Sequence, residues 1–318
     1  MGGAFRSLCV IMALSFPAMA LLPIPVGSWG TGPSLWRETR DTWNPTYKIG
    51  DEWGKKVVTQ EQLDHESAAF KRAALATAQL GGGTTFYLGK YNGHFVMATN
   101  HHVLPSTSCS GRTAVFPFLG LRLKCEKVFG SWPNIDLALY TVKIEKPEDE
   151  RQLESVKGNF AFRQELRRGE PLITIGFGVA DNPGRKLVAN KDSDCKVFSN
   201  TAEYRLMADP DELNPGPYKA WSFSNGCDVS HGDSGSAMVD RDTGYVVGII
   251  WTGRIPKNTK VQSSAYLDQL IVNQTEEVWT ELSYSVPAPK MGEFLKIEIE
   301  KPGMDADTRE TLKSVLAD

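Results

Sequence analysis

The stretch Gly232-Asp233-Ser234-Gly235-Ser236 decides the fold once two upstream segments are read with it. Thr99-Asn100-His101-His102-Val103 comes first in the chain and Asp136-Leu137-Ala138-Leu139 second. A lone Ser hydroxyl is a weak nucleophile at neutral pH. It gains strength when an imidazole takes its proton and a carboxylate holds that imidazole in the right tautomer. The order His, Asp, Ser supplies all three parts. The glycines fit the same chemistry, because the N–H groups of Gly232 and Ser234 must face a developing oxyanion and a flanking Gly permits the tight turn.

Other chemistries fail on order or spacing. An α/β-hydrolase carries Gly-x-Ser-x-Gly with its His after the nucleophile. Here the fifth position is Ser236, and His65, His94, His101, His102 and His231 all precede Ser234. A subtilisin-like order needs Asp before His, and neither Asp51 nor Asp64 sits in a strand-end motif. There is no His-Glu-x-x-His and no Cys-x-x-Cys, and adjacent His101 and His102 point apart on most backbones, so no metal site is implied. Gly81-Gly82-Gly83 lacks the Lys-Ser/Thr of a phosphate loop.

Together the three segments resemble those of the trypsin/chymotrypsin-like serine proteases, from about Gly82 to about Leu295. The Thr-Asn-x-His-Val form resembles secreted bacterial members. Cys227-Asp228-Val229-Ser230-His231-Gly232 is similar to the glutamyl-endopeptidase-like subgroup. The resemblance implies His102 as base, Asp136 as its orienting carboxylate and Ser234 as nucleophile, with the oxyanion hole at Gly232 and Ser234. The base is His102 and not His101 because the family motif places it directly before Val103.

Composition adds limits. The 318 residues carry a formal charge of −3, with Lys and Arg scattered, which gives no case for nucleic acid or an anionic membrane as partner. Residues 1–20 read as a secretory signal. Arg6 supplies the charge, Leu8 to Phe16 the apolar run and Ala18-Met19-Ala20 the cleavage site, while Pro17, Pro23 and Pro25 argue against an uncleaved anchor. Its removal leaves Cys109, Cys125, Cys195 and Cys227, an even count that fits two disulfides after export. The expected location is secreted or periplasmic, without stable membrane insertion.

Residues 21–81 form an N-terminal extension or propeptide. Within it Leu21 to Asp51 is rich in Pro, Gly and Trp and reads as extended or poorly ordered, while Glu61 to Leu80 suggests one amphipathic helix ended by the glycines. From Thr84 the period becomes that of strands, and Asn92-Gly93 is a two-residue hairpin signal. Two clusters of short strands, with Arg151 to Arg168 between them, predict an all-β fold of two six-stranded-type antiparallel barrels. The protease domain spans residues 82–300, with barrel one at about 82–155 and barrel two at about 168–300, and the site in the cleft between. Ser263 to Leu282 reads as a helical insertion, Ser283 to Pro287 as the last strand, and 301–318 as a helical tail. Of three possible disulfide pairings, Cys109–Cys125 and Cys195–Cys227 are favoured, since each closes a loop within one barrel.

The expected function is a secreted serine endopeptidase acting on protein or peptide substrates with no cofactor. A catalytically silent binding protein, or an esterase or acyl transferase using the same triad, are the alternatives. Animal trypsins pair the Asp before the nucleophile with a newly freed Ile/Val N-terminus. No Ile/Val-Val-Gly-Gly lies upstream of Thr84, so Asp233 must find another cation or donor. Asp228 stands where trypsins carry the carboxylate of the specificity pocket, which together with wall residues Trp251 and Gly253 favours cleavage after Arg or Lys, with a broad or apolar preference as the alternative because glutamyl-endopeptidase-like members carry an Asp here too. Ile250 replaces the His of the glutamyl subgroup, which argues against acidic substrates.

Overall fold

Asn92 and Gly93 both take left-handed backbone angles (φ 49° and 82°), and they turn strand β3 (Gly83–Tyr91) into β4 (His94–Thr99). This hairpin is the centre of a closed barrel. The computed structural model describes residues 48–211, 215–253 and 259–318. Around the barrel run β2 (Thr77–Leu80), β3, β4, β7 (Leu137–Val142), β6 (Leu121–Trp132) and β5 (Thr113–Phe116), all antiparallel. Strand β6 begins with Leu121 and Leu123 inward and Arg122 and Lys124 outward, the period-two pattern of a half-solvated strand. Ala78, Leu80, Tyr87, Met97, Phe116 and Tyr140 fill the inside.

The segment expected as one helix over 61–80 is three elements. Thr59 caps α1 (Gln60–His65) through a capping box with Gln62. Ser67 then accepts from the Phe70 N–H and starts a second helix, α2 (Ala68–Ala76), so the first stops at Glu66. Thr77 ends that helix, and the rest of the stretch becomes β2, a full member of the barrel. Upstream, β1 (Lys56–Val57) pairs with a strand of the second sheet. The proposed signal at 1–20 and most of Leu21 to Asp51 lie outside the described residues.

The second half corrects the expectation of two closed barrels. Beyond α3 (Pro147–Glu154) it is an open eight-stranded sheet in the order β1, β9 (Val188–Asn190), β8 (Leu172–Gly176), β12 (Ala237–Asp240), β13 (Val246–Gly253), β14 (Ser283–Pro287), β11 (Lys219–Asn225), β10 (Arg205–Ala208). Between β8 and β11 the chain supplies only the short segment around Lys196 and Val197, which makes one bridge to Pro171 and one to Asn225. Leu172 N–H donates to the Cys195 carbonyl and Val197 N–H to the Glu170 carbonyl, both at 2.9 Å, so the seam is held by a few bonds on either side of Pro171 without a continuous ladder. The Cys195–Cys227 disulfide pins it, and Cys109–Cys125 closes a loop of the first barrel.

Helix α4 (Ser264–Asn273) lies in the stretch expected as an insertion, and α5 (Ala288–Glu298) follows β14 directly. The tail helix α6 (Ala306–Ala317) packs beside α5 and is tied back to the first barrel. Asp307 meets His94 at 2.8 Å and Lys127 at 2.8 Å, and Asp318 accepts from Tyr91 at 2.6 Å. No described helix is long and apolar enough to cross a membrane.

Candidate functional site

Strand β4 ends at Thr99, and the next turn presents two imidazoles to different partners. The His102 Nδ1 lies 2.8 Å from one oxygen of Asp136, and the His102 backbone N–H donates to the other at 3.0 Å. Asp136 itself sits in the left-handed region (φ 35°), a conformation Asp tolerates better than bulky residues. Asn100 fixes that turn by donating from its side-chain amide to the Asp136 carbonyl at 2.9 Å. The Asp136 side chain is 6% exposed and the His102 ring 39%, so the carboxylate is enclosed while the ring reaches the cleft. Burial opposes the imidazolium most strongly. The charge and hydrogen bond of Asp136, with Asp209 and Asp211 behind them, outweigh it and raise the His102 pKa. His101 turns the other way, to Ser131 at 2.8 Å and edge-on to Tyr218, and burial lowers its pKa.

The Ser234 loop is shaped by two glycines, Gly232 (φ 96°) and Gly235 (φ 88°). Neither position has room for a side chain: a Cβ on Gly232 would strike the Phe177 carbonyl at 2.4 Å, and one on Gly235 the Thr84 carbonyl at 2.0 Å. The first barrel grips this loop. The Thr84 hydroxyl donates to the Gly232 carbonyl at 2.7 Å and accepts from Phe177 N–H at 3.0 Å, and the Thr84 N–H donates to the Ser234 carbonyl at 2.8 Å. Gly83 lies against both Val103 and the Ser234 carbonyl, so the residue after His102 and the backbone of Ser234 share one wall. Among the described residues, the N–H groups of Gly232 and Ser234 have no intramolecular acceptor. No group of His, Cys, Asp and Glu suited to a metal ion occurs among the described residues.

The residues expected to read the substrate are placed differently. Asp228 is buried, and its oxygens accept from the backbone N–H groups of Ile49 at 2.8 Å and Gly54 at 2.7 Å. Burial pushes its pKa up to about 7 against those two hydrogen bonds. Trp251 is also buried, with its indole N–H on Ser222 at 2.9 Å, and it sits at an irregularity between Ile250 and Thr252 in the β13–β14 pairing. Gly253 faces Val229, whose methyl would meet a Cβ there at 2.7 Å.

A profile of the trypsin-like peptidase domain matches residues 83–249. The chain belongs to the trypsin-like peptidase family. Comparison with curated proteins returns no match. Among solved structures this trypsin-like peptidase is similar to the active form of the Rv3671c protease from M. tuberculosis, at 15% identity and TM-score 0.48 over 80% of this chain and 90% of that one. The inactive form of the same protease gives 16% and 0.48, over 76% and 97%. An HtrA-type protease, AlgW with tripeptide, gives 17% and 0.42, over 74% and 64%.

Several residues of this candidate site carry no motif. Thr84, Thr99 and Asn100 are polar groups at strand ends whose partners lie in the second half of the chain or on adjacent strands, and Asp209, which raises the His102 pKa, follows β10. Lys55 is the least conspicuous. It forms an ion pair with Asp233, and nothing local separates it from Lys56. The one signal in the sequence was the unmet need of Asp233 for a cation.

Proposed function

We propose that this peptidase is an exported serine endopeptidase with Ser234 as nucleophile, His102 as base and Asp136 as the group that orients it. Ser234 Oγ bonds to the peptide carbonyl carbon as its proton passes to His102. The leaving amine takes that proton, and water then repeats the sequence to release the acyl group. The N–H groups of Gly232 and Ser234 receive the oxyanion. The observation that carries the reading is the two-point hold of one buried carboxylate on His102, side chain and backbone together. Such a hold leaves Nε2 free to act as acceptor.

Export through a signal at 1–20, outside the described residues, is supported by the two disulfides, since such bonds persist in oxidising compartments. The domain limits of 82–300 need one revision in this reading. Strand β2 begins at Thr77 and β1 at Lys56, so the catalytic body starts well before Gly82.

The Arg/Lys preference rests on Asp228, and its surroundings argue against it. A buried carboxyl whose two oxygens already accept from the Ile49 and Gly54 N–H groups is engaged by residues 49–54 and not presented to a substrate cation. We therefore give Asp228 a structural role and infer that selection at the scissile bond is apolar or broad.

A fluorophosphonate probe tests the core of this reading. It should label the native protein and not Ser234→Ala, and a mixed peptide library should be cleaved. No label on the native protein would make it a silent binding protein, and ester turnover without peptide cleavage would make it an acyl transferase or esterase. Cleavage confined to Arg and Lys sites, and lost in Asp228→Ala, would restore the basic pocket.

A further inference from the structure

Asp233 stands between the two residues whose N–H groups form the proposed oxyanion hole. It is fully buried, and its carboxylate accepts from Gly178 N–H at 3.0 Å and Ser230 N–H at 2.8 Å. Backbone donors of this kind fix the position of the carboxylate but leave its charge without a counterion in a low dielectric. The cation comes from Lys55. The two side chains are 2% and 1% exposed, and the Lys55 ammonium has no other partner among the described residues. Arg185 is near, but its guanidinium donates to the Gly82 carbonyl at 2.6 Å.

Lys55 is delivered by a strap, residues 48–58, that is itself fastened along its length. Ile49 is buried among Phe198, Val261 and Leu267, and Gly50 N–H donates to the Val261 carbonyl at 2.8 Å. The N–H groups of Ile49 and Gly54 close on Asp228. Gly54 passes so near Asp192 that a Cβ would lie 1.5 Å from its carboxylate. Lys56 and Val57 then pair with Ala189 and Val188, adding β1 to the sheet edge. Both ends of the strap therefore brace the lysine, and both acidic residues of the nucleophile segment, Asp228 and Asp233, are met by it.

We propose that Lys55 is the resident counterion of Asp233 and the positioning residue for the oxyanion hole, so that residues 48–58 remain part of the working enzyme and no chain cleavage is needed to create the ammonium. This rests on the serine endopeptidase reading above. Without the ammonium, Asp233 would be a stranded buried charge. Relief comes by rotating toward solvent, which turns the peptide units of Gly232 and Ser234 with it.

The test uses the full chain. First, the fluorophosphonate-labelled active species is isolated and its N-terminus determined by mass spectrometry. Retention of Lys55 is expected, and a labelled species beginning at Thr59 or later would overturn the proposal. Second, Lys55→Met, Asp233→Asn and the double variant are compared for labelling rate, kcat, KM and unfolding midpoint. Lys55→Met should lower kcat by about 10²–10³, the size of a lost oxyanion donor, with KM little changed. The double variant should label faster than Lys55→Met, because the stranded charge is gone. A merely structural lysine would shift the midpoint and leave kcat at the native value, and that result also overturns it. If Lys55→Met does not fold, Asp233→Asn and the N-terminus decide. Native protein that takes no label at Ser234 refutes the endopeptidase reading and not the placement of Lys55, which the unfolding midpoints report separately.

Discussion

The two halves of the site are held in unlike ways. The His102–Asp136 half is assembled within one closed barrel, from the ends of two adjacent strands and a single turn amide. The Ser234 half belongs to an open sheet and borrows its supports: Thr84 from the first barrel, the Cys195–Cys227 bridge from the seam, and Lys55 from a strap far upstream. In the closed barrel the partners of His102 and Asp136 come from neighbouring strand ends, whereas the Ser234 turn draws its partners from three separate parts of the chain. Damage to the base half should therefore stay chemical and local. Damage to the nucleophile half should spread into stability.

The largest contrast is chemical. Asp136→Asn keeps the size of the side chain but presents the wrong hydrogen-bonding pattern to His102, and kcat should fall by about 10⁴. The unfolding midpoint should move little, since Asn100 still fixes the turn. Steady-state kinetics beside a melting curve checks both halves of that statement, and a large fall in midpoint would break the comparison.

Thr84→Val probes the other half. It strands the Gly232 carbonyl and the Phe177 N–H in a buried place, at a cost of about 1–3 kcal/mol. Denaturant unfolding should show that loss, together with slower labelling of Ser234. Unchanged stability would mean that the first barrel does not brace the nucleophile loop.

The smallest effect concerns pH. A general base must be neutral, so kcat/KM falls as pH drops through the His102 pKa. The carboxylates of Asp136, Asp209 and Asp211 raise that pKa against burial, which places the acid limb above that of an ordinary imidazole. Asp209→Asn removes one of those charges, and the limb should move to lower pH. A limb that stays put, or moves upward, would mean that Asp209 does not act on His102.

The same division governs how far the chain could be read in advance. The proposed chemistry has a local signature: His102 before Val103, Asp136 at a strand start, and Ser234 between glycines. Asn92-Gly93 announces its hairpin for the same reason. What escaped was set at long range. Thr77 to Leu80 become a strand only because β3 and β5 flank them, and the second sheet stays open where residues 195–197 make only isolated bridges to Pro171 and Asn225; Ser67, by contrast, is a local cap inside a stretch whose apolar spacing suggested one helix. Asp228 illustrates the limit most clearly. Its position in the motif suggests a substrate contact, but its partners are Ile49 and Gly54, 179 and 174 residues away.

That separation also fixes an order of events in folding. The strap is made early in synthesis, yet it has nothing to dock on until residues 188–190 and the Asp228–Asp233 segment have left the ribosome and formed their sheet. Contacts closing loops of this length are slow and come after local hairpins such as β3–β4. On the proposed reading, the lysine that pairs with Asp233 is expected among the later contacts to form, an order that hydrogen exchange during refolding would check. Hydrolytic competence would then follow the docking of the strap.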